Sequence, residues 1–149
     1  MAEFPRHIVT PDGEVTLASS GDEFRYDNFK FAAARRAGNV IYISGVIAGP
    51  EKGKGRSIDD FKNQLRRAFG QIGATLKAAG TDFTKVVMLN TFHVWASDNF
   101  QGDKNDQLSA FIAVKDEFMP PPHPAWTAVG TTGLALETGV VEIQAIAHV

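Results

Sequence analysis

Val40-Ile-Tyr-Ile-Ser44-Gly45-Val-Ile-Ala48, then Ser57-Ile-Asp-Asp60-Phe61 opening a helical stripe, then Val86-Val-Met-Leu-Asn-Thr-Phe-His93-Val94: this succession decides the fold. Each outer segment is an almost continuous apolar run of strand length. Between them Phe61, Leu65, Phe69, Ile72 and Leu76 recur at helical spacing, the mark of a helix with one buried face. Ser57 is a good N-cap with Asp60 three residues on as its capping-box partner, and Gly80 supplies a left-handed stop after about Ala79. A strand-helix-strand order of this length favours a parallel pair joined by a right-handed crossover.

Upstream, Phe31 to Arg36 reads as a strand and Ala37-Gly38-Asn39 as a tight turn, making a hairpin with 40–48. Downstream, Trp95 to Asn105 is a polar loop. A second helix spans roughly Asp106 to Phe118, with Leu108, Phe111, Ile112 and Lys115 on one side, and ends at Pro120-Pro-Pro122. Strands near Ala125 to Thr131 and Val140 to His148 finish the sheet. Residues 1–28 read as an irregular N-terminal extension, with a turn at Pro11-Asp12-Gly13 and a polar run from Ser19 to Tyr26. This order predicts an α+β fold whose two helices cover one face of a mixed sheet. Strands 40–48 and 86–94 are apolar on both faces, so the uncovered face should pack against other subunits in a closed homo-oligomer.

A length of 149 residues predicts a single domain, 1–149, which buries about 70% of the surface of its unfolded chain. Fifteen basic and 17 acidic residues leave the chain nearly neutral, without the basic face that nucleic acid requires. The absence of cysteine excludes disulfides and thiolate nucleophiles. No apolar run approaches the ~18 residues of a membrane span and Met1 to Thr10 lacks a signal-like core, so cytoplasmic residence without membrane contact is expected. His7, His93, His123 and His148 match no metal-ligand spacing, and no metal or cofactor is expected. Gly53-Lys-Gly-Arg56 lacks the phosphate-loop signature and reads as a solvated loop.

Gly38-Asn-Val-Ile-Tyr-Ile-Ser44-Gly45, the helix from Gln64 to Gly80, the proline-ended loop running into Pro124-Ala-Trp126-Thr-Ala-Val-Gly130, and Val141-Glu142-Ile-Gln-Ala-Ile-Ala147 together resemble the RidA/YjgF reactive intermediate deaminase family. The Pro-Ala-Trp block looks most like its YjgH-type branch. The resemblance implies a chorismate-mutase-like fold, a homotrimer whose sheets form a central barrel, ligand clefts between subunits, and hydrolysis of enamine or imine metabolites without a cofactor. Glu142 matches the glutamate that positions the attacking water; Ser44 matches the serine before glycine, with Gly45 as a backbone donor. Three positions depart from the pattern. The arginine that grips a substrate carboxylate falls on Trp126, an early tyrosine on Phe31, and the asparagine of the second helix near Ile112.

Imine hydrolysis needs a water aimed at an electrophilic carbon and a group to carry its proton, a task for a carboxylate whose pKa burial has raised. Glu142 has both position and type, although a strand carboxylate is also often just solvated. Losing the arginine removes charge-assisted hydrogen bonds and costs an anionic substrate at least about tenfold. Trp126 either stacks on an aromatic or cationic ligand or packs into the core. His93, at a strand end, and His123, in the proline loop, are candidate proton carriers beside the cleft. The sequence thus predicts binding of a small imine- or enamine-type metabolite, with hydrolysis assisted by Glu142 and Ser44. Its alternative is a non-catalytic binding or interaction protein on the same trimeric scaffold.

Overall fold

The computed structural model describes residues 3–51 and 54–149, so the Lys52-Gly53 part of the 49–55 loop lies outside the described residues. The helix read from the Phe61–Leu76 stripe is α2, Ile58–Ala78. Ser57 Oγ accepts from the Asp60 amide at 3.0 Å and Asp60 accepts from the Ser57 amide at 3.2 Å, closing the capping box. At the other end the Thr81 amide reaches the Leu76 carbonyl and the Gly80 amide the Lys77 carbonyl, a Schellman stop made possible by Gly80 at φ +84°.

Strands β3 (Ala34–Ala37) and β4 (Val40–Ala48) form the expected hairpin around Gly38-Asn39. β5 (Val86–His93) runs in the same direction as β4, but the two are not neighbours, because β7 (Val141–His148) lies between and antiparallel to both. The adjacent parallel pair is instead β5 with β6 (Ala125–Gly130), joined through α3 (Lys104–Phe118). β7 thus has a central place in the sheet. Val141, Ile143, Ala145 and Ala147 are buried on the helix side, and both backbone edges are paired.

α3 begins earlier than its apolar residues suggest, since Asp103 caps it in a second box with Asp106. Its buried face is Gln107, Ala110, Phe111, Val114 and Lys115, which leaves Ile112 on the flank, 45% exposed. Phe69 joins the helices, stacking on Phe118 at 5.2 Å and approaching Phe111 and Phe83 at 5.9 and 6.4 Å.

The amino-terminal residues are not irregular. β1 (Arg6–Thr10) and β2 (Gly13–Leu17) form a hairpin around Pro11-Asp12, β2 pairs with β3, and a third helix, α1 (Ser20–Phe29), follows. Only Asp22 of α1 is buried, so there was no apolar stripe to betray it. Its signal was Ser19, which caps the Asp22 amide. The sheet therefore has seven strands in the order β1-β2-β3-β4-β7-β5-β6.

On the face without helices, registered rows run Tyr42-Ile146-Met88 and Ile47-Glu142-Phe92, with Asn90 and Gln144 hydrogen-bonded between them. Each of these side chains is at least partly exposed. The chain's own helices leave this apolar-polar surface uncovered.

Candidate functional site

The site starts from an irregularity in β4. Ile43 pairs with Ala145 and Val46 with Ile143, so three steps along β4 match two along β7 and one residue is extra at Ser44-Gly45. Such a bulge bends the strand and re-aims side chains. It also reverses the alternation, turning Val46 and Ala48 toward the helices as Ile41 and Ile43 are before it.

Three things converge at the bulge. Ser44 donates its hydroxyl to the Ala32 carbonyl at 2.6 Å and its amide to the Ala33 carbonyl at 3.0 Å, so β3 begins at Ala34 and Phe31 precedes it. Glu142, on the neighbouring strand, lays its side chain over Gly45, where any added Cβ would overlap the carboxylate. A side chain at position 45 would have to push the Glu142 carboxylate aside, so glycine lets the two lie in contact. The third element is a cavity of about 690 Å³ between α1, α2 and the bulge, whose wall includes Phe31, Ser44 and Gly45 together with Arg25 and Gln71.

Trp126 lies elsewhere. It pairs in register with Leu89 on the helix side of the sheet, whereas Glu142 is on the opposite face, and neither is among the residues that line this cavity. Its indole packs on Phe111 at 5.4 Å, with Lys115 Nζ 5.3 Å from the ring centre. The indole N–H donates to Thr91 Oγ1 at 2.8 Å. Thr91 Oγ1 is 2.7 Å from His93 Nε2, His93 Nδ1 is 2.9 Å from Gln107 Oε1, and Gln107 donates its amide to the Val94 carbonyl at 3.0 Å. The directions follow from the ends. Because the Gln107 carbonyl oxygen only accepts, His93 carries its proton on Nδ1, and its Nε2 accepts a hydrogen bond donated by the Thr91 hydroxyl. Burial pushes His93 below the ordinary imidazole range, with the Gln107 hydrogen bond opposing it, which agrees with a neutral ring.

His93 is thus sealed inside the protein, stacked on Trp95 at 4.3 Å, and not at a cleft edge. Its depressed pKa has a sign. Below about pH 6.5 the unfolded chain takes up a proton there that the folded chain refuses, so stability falls with pH from that value until the lower folded pKa is reached. Urea midpoints compared between pH 7.5 and 5.5 should drop less in His93→Gln than in the unaltered protein; equal drops would show that another group carries the acid sensitivity.

His123 is exposed and contacts the Met119 carbonyl at 3.2 Å, at the end of α3, and neither it nor Ile112 reaches the cavity. Among the described residues no three histidine, aspartate or glutamate side chains are placed to hold a metal ion. Sequence reasoning missed Arg25 and Asp22, which sit on the unrecognised α1, and Thr91 and Gln107. Thr91 was findable, standing two residues before His93 and so on the same strand face.

A mixed sheet with helices packed on one face, and a serine-glycine bulge beside a strand glutamate, make this an α+β protein. The family description Endoribonuclease L-PSP matches residues 27–149. The chain is 36% identical over 131 residues to RutC family protein YjgH of Escherichia coli strain K12, covering 87% of this chain and 86% of that one. The solved YjgH structure superposes with a TM-score of 0.64 over 83% of this chain and 87% of its own. A 2-iminobutanoate/2-iminopropanoate deaminase of Dermatophagoides farinae is 29% identical, over 78% and 83% of the two chains. The solved Rv2704 of Mycobacterium tuberculosis, a member of the YjgF/YER057c/UK114 family, is 25% identical with a TM-score of 0.67 over 88% and 96%. The chain belongs to the RidA/YjgF family and is similar to YjgH over most of its length.

Proposed function

We propose that the protein is a cytoplasmic homotrimer that binds a small, apolar or aromatic imine- or enamine-type metabolite at the β4 bulge, in clefts between subunits, and hydrolyses it without a cofactor. The observation that carries this reading is the seating of the Glu142 carboxylate against Gly45, which together with Ser44 lines the cavity. Glu142 holds and deprotonates the water. Ser44 fixes the 31–33 segment through Ala32 and offers its oxygen lone pairs to the ligand. The uncovered sheet face, with Tyr42, Met88 and Ile146 in one row, supports assembly with further copies. Within one chain Trp126 stands apart from the bulge, so it reaches the cleft from a neighbouring subunit and acts there as a wall, its N–H being given to Thr91. Deaminase names among relatives support the reaction class. The endoribonuclease name of the family description is disfavoured by a net charge of −2.

A second reading, a binding protein without turnover, is favoured by one observation. The Ser44 hydroxyl proton and the Trp126 indole proton are both committed to the protein itself. Ammonia release from freshly generated imines, some bearing a carboxylate and some not, separates the two. Release above the spontaneous rate from the apolar or aromatic members is expected. A flat response across the panel would leave binding alone.

A further inference from the structure

We propose that Arg25 is the anion anchor of the cavity at the β4 bulge, and that the ligand is an amphiphilic monoanion with an apolar or aromatic body ending in a carboxylate. This rests on the cavity being the ligand site. The charged residues among those that line it are Asp22 and Arg25.

Asp22 is 4% exposed and is fully occupied within the protein: Oδ2 accepts the Ala18 amide and Oδ1 accepts Arg25 Nη2, each at 2.8 Å. Arginine has five N–H donors in a planar fork, and that contact uses one. The Arg25 side chain remains 37% exposed, so donors are left for a ligand. Held at one corner by a buried carboxylate, the guanidinium is pre-positioned, which lowers the ordering cost of binding. Its remaining edge suits a carboxylate, which it can engage bidentately.

The rest of the wall sets the body of the ligand. Phe29, Phe31, Val46, Ile47 and Leu136 are apolar, while Ser44 and Gln71 provide polar handles. A ligand charged at one end only fits this division. The Asp22-Arg25 pair is neutral as a unit, so one negative charge is tolerated where a second would meet repulsion from Asp22. Arg25 also precedes the residues 27–149 that match the family, and α1 packs on β2, toward the opposite edge of the sheet from β6 and Trp126. A cation is thus supplied from a different element than the one that sequence comparison points to.

Benzoate and its neutral isostere benzamide serve as probes, titrated into the full chain and followed by amide and arginine Nε–H chemical shifts. Benzoate should shift Phe31, Ser44, Gly45 and the Arg25 side chain, binding at least about tenfold more tightly than benzamide. Arg25→Gln should bring that ratio close to one with benzamide affinity unchanged, and Arg25→Lys, which keeps charge but loses the fork, should fall between. Because Arg25→Gln strands Asp22, the double variant Asp22→Asn/Arg25→Gln should give the same ratio. A benzoate preference that survives Arg25→Gln, or equal affinities in the unaltered protein, would overturn the anchor and leave the cavity standing. Shifts at Ser44 and Gly45 from neither probe would overturn the cavity itself, and the anchor with it.

Discussion

Glu142→Gln should lower ammonia release from any productive imine by about 10²- to 10⁴-fold, the usual contribution of a positioned acid-base group. Glutamine keeps the length and shape of the side chain, so the packing over Gly45 survives and the change is chemical. It cannot accept a proton from water at neutral pH. Ligand affinity should stay within a few-fold, because the amide occupies the same space beside the cavity. The pairing of Glu142 with Ile47 and Phe92 on a part-exposed row predicts an unchanged fold, checked by circular dichroism. Undiminished turnover in this variant would mean that the carboxylate is there for packing or solvation, and the catalytic reading would go.

Phe69→Ala should destabilise the protein by about 3 to 5 kcal/mol, the range for removing a buried aromatic ring from a packed core. Phe69 is fully buried and meets three other phenylalanine rings, from the 3-10 turn at Phe83 and from both the middle and the end of α3. No single neighbour can swing in to fill the space without leaving its own contact. A urea midpoint shift at constant slope, taken at one fixed protein concentration, reads the effect. A loss below about 1 kcal/mol would show that α2 and α3 close over the gap.

Legibility followed the physical signal. α2 was readable to its ends because stripe, cap and glycine stop all agree. β7 was found as a strand but its place between β4 and β5, which were read as a parallel pair, was not, since its sequence shows which residues are buried and not which strands they pair with. α1 was hidden because a helix with one buried residue has no periodic pattern. For α3, Phe111 and Lys115 do face inward as read, but Ile112 was put with them on its apolar character, whereas Gln107 is the residue that takes the inward place. Gln107 is inside because it has His93 and the Val94 carbonyl as partners, and such pairing is invisible in a linear sequence.

Of the residues read as a site, Phe31, Ser44 and Gly45 line one cavity and Glu142 contacts Gly45. The packing of Trp126 on Phe111 and its bond to Thr91 depend on a helix and a strand remote in sequence, so neither could be read from the Pro-Ala-Trp block. Arg25 escaped because its importance comes from Asp22, three residues away, being buried.

The extra residue at Ser44-Gly45 makes the recess a matter of chain length. Removing either residue would bring the pairing with β7 into an unbroken ladder, with Val46 still opposite Ile143 and Ile47 opposite Glu142, and would take away the bend that opens the recess. Substitutions can retune what the recess accepts, but only a one-residue deletion would abolish it. Variation among descendants of this gene should therefore be tolerant of exchange here and intolerant of loss.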